Sequence, residues 1–487
     1  MALEYQKLHF VLIPLMASGH LLPMADIARL LAEHGVIVTI VTTPLNAARI
    51  KPVIDRATQS GLHLQLIQLA MPSHEFGLPK GCEDMDAVPS RNLFNNFFDA
   101  ISMLQEPIEE LLKEMKPSPR CIISDKHLPW TAEIAQKFDI PRVLFDGMSC
   151  FTLLCNHNIL KHNIHESVAE LEPFFVPGLP DKVEFTIEQL PVLNPSSKDV
   201  FDFHKKVREA EEGAYGIVVN SFEELESGYV EGCRREKGDK IWCIGPVSLS
   251  NKTELDKASR GNVAAIDEKT CMTWLNSWPK KSVVYASLGS LSRLLTKQLE
   301  ELGLALEESN RPFIWVVKGS RTEEIEKWIK ESGFELRTKS RGLLIRGWSP
   351  QVLILSHPSI GAFLTHCGWN SSLEGISRGV PMITWPMFAD QFYNEKLIVQ
   401  ILRIGESVGT KLIVPWGKED NFEVLVKKKE IKEAIDKVMG EGKEEEEKRE
   451  RAKRLAEMAN KAVEEGGSSY LNMKLLIEDI KQLATKN

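Results

Sequence analysis

Short, continuous apolar runs alternate along this chain with stretches whose apolar residues recur at helical spacing. Residues 9–15 form such a run, as a strand buried on both faces should. Met24, Ile27, Ala28, Leu30 and Leu31 then mark a helix over residues 23–34, which Gly35 closes. Residues 36–42 are apolar again, and the alternation continues through 62–69, a helix around 93–115, and 121–124. It restarts with 282–287, a helix over Thr296–Glu308, then 312–317, Gly342–Arg346, 361–365 and 381–385. Strand, helix and strand in this order predict parallel α/β sheets. Residues 250–264, between the two series, are polar, charged and weakly periodic, which suits a linker. The pattern predicts two doubly wound α/β domains facing each other across a cleft, residues 1–249 and 265–469. The mixed-charge run 441–454 reads as a solvated helix face, and a long helix is expected from Lys429.

In an open parallel sheet, ligands bind beyond the carboxyl ends of the strands, and polar residues gather there in this chain. After the run ending at Thr365 come His366, Trp369, Asn370, Ser371 and Ser372; after the run ending at Trp385 come Asp390 and Gln391. A helix opening at Asn370–Ser372 would present unpaired N–H groups and a partial positive charge, a seat for a diphosphate. The same residues also fit a capping box, with Ser371 and Glu374 serving only their own helix. In the first half, His20 stands in the turn after one buried strand and Asp125 after another. A carboxylate on one ring nitrogen would fix the imidazole tautomer and raise the basicity of the other nitrogen.

Residues 348–391, with their centre His366-Cys367-Gly368-Trp369-Asn370-Ser371 and closing pair Asp390-Gln391, resemble almost without gap a known motif. It is the nucleotide-sugar signature box of the plant family-1 UDP-sugar-dependent glycosyltransferases. The resemblance runs from end to end, and is strongest to the branch that glycosylates hydroxyls on triterpenoids, steroids and phenolics. It implies a GT-B type fold of two Rossmann-like domains. Residues 1–249 would bind the acceptor and 265–469 the UDP-sugar, with a last helix, 470–487, crossing back onto the first domain. It implies His20 and Asp125 as a catalytic dyad in which His20 is the base. Donor contacts carried over are Gly19, with Trp348 and Gln351 at the uracil, Glu374 at the ribose, and His366, Ser290, Asn370 and Ser371 at the phosphates. Trp369, Asp390 and Gln391 would meet the sugar hydroxyls, and a closing glutamine goes with glucose.

Apolar residues on irregular stretches, Met16, Phe76, Phe94, Trp130, Met148, Leu190 and Ala389, are expected to line an acceptor pocket. Lys126-His127 stands where aromatic or apolar residues are usual in that branch, and Asp146 where a histidine is usual. Both departures bear on the acceptor. The expected reaction is inverting transfer from UDP-glucose or another UDP-sugar to a hydroxyl of a small hydrophobic acceptor, with no cofactor and no metal. The alternative is a non-catalytic nucleotide-sugar sensor on the same fold.

A net charge of −8 leaves no basic surplus for nucleic acid. No stretch approaches the ~18 apolar residues of a membrane span. The run 10–17 passes directly into Ser18-Gly19-His20, as a buried strand rather than a signal peptide. Eight cysteines with no CxxC spacing suit thiols in a reducing compartment, so a cytoplasmic location is expected; a monomer is expected as well. A nicotinamide dehydrogenase should carry GxGxxG and a P-loop protein GxxxxGK[ST], and neither occurs. Tyr285-Ala286-Ser287-Leu288-Gly289 lacks the first glycine of a hydrolase elbow. Asp84-Met85-Asp86 spells DxD, a metal signature of another glycosyltransferase architecture, but it lies in a polar loop rather than after a buried strand.

Overall fold

A computed structural model describes residues 8–164, 168–169, 172–191, 198–291, 294–318 and 322–486. The strands in chain order are β1 (His9–Ile13), β2 (Ile37–Thr42), β3 (Leu64–Gln68), β4 (Cys121–Asp125), β5 (Arg142–Asp146), β6 (Phe174–Phe175), β7 (Glu184–Phe185), β8 (Gly216–Val219) and β9 (Ile241–Cys243). They continue with β10 (Val283–Ser287), β11 (Phe313–Val317), β12 (Gly342–Arg346), β13 (Ile360–Thr365), β14 (Met382–Thr384) and β15 (Gly405–Ser407). The chain divides into two compact units, 1–148 with 195–261 and 461–487, and 149–194 with 262–460.

The first unit holds a parallel sheet in the order β3-β2-β1-β4-β5-β8-β9. Every residue of β1, β4 and β5 is buried, which is why residues 9–15 and the start of β4 read as apolar runs, while β5 carries Arg142 and Asp146 at its ends. The strand order reverses between β1 and β4, where Ile13 pairs with Ser124. The final helix, Ser468–Lys486, packs on β9, and Asp479 there takes an ion pair from Lys240 at 2.7 Å.

The second unit holds a parallel sheet in the order β12-β11-β10-β13-β14-β15, which reverses between β10 and β13 with Ser287 paired to Thr365. Its core includes Trp315, Phe313, Phe334, Leu364, Ile383 and Trp385, and the strand members alternate so as to line one face of the sheet. Among the described residues, no helix is long and apolar enough to cross a membrane.

Several boundaries differ from the sequence expectation. The helix expected over 23–34 starts at Ser18 and runs to Glu33, so His20 lies in its first turn rather than in a loop before it. Pro23 suggested a start because proline suits the first helical position, yet it stands inside the helix. The helix around 93–115 is two, Phe94–Ser102 and Gln105–Glu114, and the one from Lys429 is Lys428–Met439 followed by Lys443–Val463.

Residues 149–194 cluster with the second unit instead of the first. Tyr393 Oη donates to Asn156 at 2.6 Å, the Phe185 and Tyr393 rings lie 5.2 Å apart, and Ile413 N bonds Glu188 O at 3.1 Å.

The expected linker is likewise built into the first unit up to residue 261. Two of its charges are paired with residues of the first unit: Asp256 takes Arg29 at 3.0 Å and Arg56 at 2.8 Å, while Arg260 donates to Asp26 at 2.9 Å, which also accepts from Asn251 at 2.8 Å. Asp26 and Arg260 are both buried at their side chains. Removing one member of such a pair leaves a buried charge uncompensated, at about 3 kcal/mol. Asp26→Ala is therefore expected to lower the midpoint of denaturant unfolding strongly, and an unchanged midpoint would refute the pairing.

Candidate active site

In the first unit, β1 leads into the Ser18–Glu33 helix and β4 ends on Asp125, so the two elements at the reversal of strand order deliver His20 and Asp125 side by side. His20 Nδ1 lies 2.6 Å from Asp125 Oδ2. Asp125 is fully buried and His20 is partly open. An ionised carboxylate only accepts, so Nδ1 carries the proton and Nε2 keeps its lone pair. Burial opposes a charge on His20, but Asp125 outweighs it by charge and hydrogen bond and holds the imidazole above the ordinary histidine value. Burial likewise opposes the charge on Asp125, and His20 and His127 together hold its carboxyl well below the usual range. Gly147 closes in on the ring: a Cβ there would lie 3.4 Å from His20 Cε1.

The residues that depart from the family pattern stand beside this dyad. His127 N and Nδ1 each lie 2.9 Å from Asp125 Oδ1. Lys126 donates to Asp146 at 2.8 Å, with Met148 Sδ at 3.8 Å from the same ammonium. The lysine and the aspartate, each unexpected alone, form one ion pair.

The DxD residues have a different task. Met85 N bonds Met16 O at 2.8 Å, Ser18 donates to Asp86 at 3.2 Å, and Asp84 takes Asp86 N at 2.8 Å and Arg49. The motif pins its loop to the strand end that precedes His20. The ligand atoms of His20, Asp125 and His127, by contrast, lie within 4.8 Å of one another, a grouping able to hold a metal ion. Turnover is nonetheless expected to persist in EDTA; loss restored by manganese would give these residues a metal role.

In the second unit, His366 follows β13, and Gly289-Ser290 follow β10, again at the reversal of strand order. The His366 imidazole lies against two glycine backbones. A Cβ on Gly289 would come within 2.6 Å of its Nε2, and one on Gly368 within 2.5 Å. Burial pushes the His366 pKa down to about 4, so the ring is neutral near pH 7, and its Nδ1 is buried without a hydrogen-bond partner. The helix that follows is Trp369–Ser377, with Gly368 as N-cap and no side-chain cap. The capping-box expectation fails here: Ser371 lies inside the first turn, and Glu374 accepts from Gln351 at 2.8 Å. Gln351 also donates to Ser371 at 3.0 Å and accepts from Tyr285 at 3.3 Å. Trp348 is half-buried, its Nε1 has no partner, and Lys318 Nζ lies 4.9 Å from its ring centre.

The two strand-end turns of this unit are tied together. Asn394 Nδ2 donates to Cys367 O at 2.8 Å and to Asp390 at 2.7 Å. Gln391 Oε1 accepts from Met387 N at 2.8 Å and Phe388 N at 3.1 Å. Ala389, between them, is exposed with φ 52°, while Trp369 and Gln391 are buried.

Two family descriptions match the chain, "Glycosyltransferase, N-terminal domain" over residues 6–249 and "UDP-glucoronosyl and UDP-glucosyl transferase" over 260–440. UDP-glycosyltransferase 73C3 of Arabidopsis thaliana is 52% identical, over 99% of this chain and 97% of the relative. The chain is a plant family-1 UDP-glycosyltransferase. A second relative of this glycosyltransferase, UDP-glycosyltransferase 73C13 of Barbarea vulgaris, is 53% identical over 99% of this chain and 98% of its own. Among solved structures, Glycyrrhiza uralensis UGT73P12 complexed with glycyrrhetinic acid 3-O-monoglucuronide is similar at a TM-score of 0.91 and 38% identity, covering 99% of this chain and 97% of the other. Arabidopsis thaliana UGT89C1 complexed with UDP-L-rhamnose is similar at 0.73 and 30%, covering 97% and 99%. The two parallel sheets are the Rossmann-like halves of the GT-B fold.

The expected acceptor residues of this glycosyltransferase are spread over both units. Met16, Phe76, Phe94, Trp130 and Met148 belong to the first, Leu190 and Ala389 to the second. Met16 and Leu190 are fully buried and Trp130 nearly so, which makes them packing rather than open lining. Phe76, Phe94 and Met148 keep some exposure. Phe94 packs with Phe98 and Phe203, whose rings lie 4.8 and 5.8 Å away. Phe203, on the helix Lys198–Glu212, is not among the expected residues because that amphipathic stretch carries no strand-end signal.

Gly19, exposed beside His20, completes the placement in the first unit. Ser290 and Asn370 are partly open beside the His366 ring and at the helix start.

Proposed function

We propose that the protein is an inverting O-glucosyltransferase, taking glucose from UDP-glucose to a hydroxyl of a hydrophobic plant metabolite, triterpenoid or steroid first and phenolic second. The observation that carries this is the 2.6 Å contact between His20 Nδ1 and buried Asp125, which leaves Nε2 as the basic nitrogen. Nε2 takes the proton of the acceptor hydroxyl as its oxygen attacks the anomeric carbon. The bond from that carbon to the diphosphate breaks, and UDP leaves with the electron pair. The charge gained by the β-phosphate calls for donors, and neutral His366, Ser290 and the N-terminus of Trp369–Ser377 are the groups assigned to it. Trp348 takes the uracil, Gln351 and Glu374 the nucleoside edge, and Trp369, Asp390 and Gln391 the sugar. The Gln351–Glu374 hydrogen bond opens to admit the ribose hydroxyls. No metal enters this scheme.

The acceptor class is supported by a relative of known structure, UGT73P12, whose complex holds glycyrrhetinic acid 3-O-monoglucuronide. A more distant one, UGT89C1, has been seen with quercetin and with UDP-L-rhamnose, which makes phenols and another sugar the natural competitors. Mass spectrometry of the protein incubated with UDP-glucose, UDP-rhamnose and UDP-glucuronic acid, each against triterpenoid, steroid, flavonoid and simple phenolic alcohols, tests the proposal. A hexose gain on a triterpenoid or steroid is expected. Transfer from another donor alone would overturn glucose, and transfer to the phenols alone would overturn a triterpenoid or steroid as the first acceptor.

A further inference from the structure

Asp125 meets two histidines, one on each oxygen. Oδ2 faces His20 at 2.6 Å, while Oδ1 accepts from the His127 backbone and from its ring, both at 2.9 Å. The carboxylate can only accept, so the His127 Nδ1 is protonated as well. The two rings meet edge to face, 5.5 Å between centres and 86° between planes, so both reach the carboxylate without displacing each other. β4 ends at Asp125, and Lys126 N bonds Phe145 O at 3.2 Å, which sets the turn that returns His127 to the carboxylate two residues on.

We infer that His127 is a positioning residue for the base: holding Oδ1, it keeps Oδ2 on His20 and withholds part of the carboxylate charge from it. This rests on the reading of His20 as the base. The other charged groups of this unit near the pair are Lys126, which opposes protonation of His20, and Asp146, which favours it. Arg142 acts on Asp125, Glu211 on Lys126, and His204 with Arg208 stands on the helix beyond His127 and Lys126. Of these, only His204 also feels the His127 charge directly, and its own ionisation is opposed first by burial.

The test is the pH profile of kcat/KM, whose acid limb reports the base of the free enzyme. His127→Phe removes the ring donor and leaves the backbone N–H. Asp125 then serves His20 more fully, the imidazolium is better stabilised, and the acid limb moves to higher pH by roughly half a unit to one unit. His127→Asn puts an amide nitrogen where Nδ1 stood and is expected to return the limb to the wild-type position. A merely structural role would lower activity in both variants without moving the limb. An unmoved limb in His127→Phe, or equal shifts in the two variants, overturns the inference. Should His127→Phe not fold, His127→Gln, whose amide reaches past Oδ1, carries the same expected shift. If His20→Ala keeps wild-type turnover, the base reading itself falls. If that variant is inactive and the limb does not move, only the role of His127 falls.

Discussion

His20→Ala is expected to reduce kcat/KM by about 10²- to 10⁴-fold, the range for losing a general base, while UDP still binds at the wild-type affinity. The two readouts separate because His20 belongs to the first unit, and the residues assigned to the nucleotide, apart from Gly19, belong to the second. Asp125→Asn sharpens the test. An amide that turns its N–H toward His20 forces the proton onto Nε2 and hides the basic nitrogen, a fault worth about 10⁴ where a histidine depends on its carboxylate for the tautomer. Asp125 Oδ1 also takes two hydrogen bonds from His127, which the amide oxygen keeps in that orientation but without the negative charge that strengthened them. The asparagine variant should therefore lose stability as well as activity, and His20→Ala, which leaves the buried Asp125 Oδ2 without its partner, should unfold at a lower temperature too. Calorimetric titration with UDP, together with steady-state rates, checks both. Undiminished turnover in His20→Ala would remove it from the mechanism.

The second large effect is expected at the glycines that enclose His366. Gly368 has φ −57°, which any residue adopts, so Gly368→Ala adds no backbone strain, yet its Cβ would stand 2.5 Å from His366 Nε2. The imidazole has to move. A lost hydrogen bond to a charged phosphate is worth about 1.5 to 3 kcal/mol, and UDP binding should weaken by roughly ten- to a hundredfold. Gly289→Ala adds strain to the same displacement, since its φ is +80° and its Cβ would meet His366 Cε1 and Nε2 at 2.6 Å. Gly35→Ala is the control: its φ is +84°, but nothing lies within 4 Å of its Cβ. It should cost stability and leave UDP affinity unchanged. Equal UDP affinity in Gly368→Ala and the wild type would remove His366 from the phosphate site.

Much of this arrangement is legible in the order of residues alone. Fully buried parallel strands produce unbroken apolar runs, so β1, β4, β10 and β13 stand out, and the polar residues that follow them are the ones that meet. His20 beside Asp125 follows from that logic. The features that the apolar pattern does not reveal are set by partners distant in sequence. Residues 250–264 resemble a linker because they are charged, and only Arg29, Arg56 and Asp26 reveal that the first part of that stretch is fixed. Ser371 and Glu374 have the spacing of a capping box, but Gln351, twenty or more residues earlier, takes both side chains. Lys126 and Asp146 each stand out as anomalous alone, and the register of β4 with β5 makes them one pair.

The bond that Asn394 makes to both Cys367 O and Asp390 has a consequence for how sugar preference can change. The turn assigned to the phosphates and the turn assigned to the sugar hydroxyls share one brace, and Gln391 is itself part of the scaffold, because its oxygen holds Met387 N and Phe388 N. A residue assigned to the sugar is thus also a strut. Exchanging it for one that suits another hexose would remove the acceptor of Met387 N and Phe388 N in a turn that Asn394 ties to the one assigned to the diphosphate. New donor preference, whether reached by selection or by engineering, would first need a replacement for the strut.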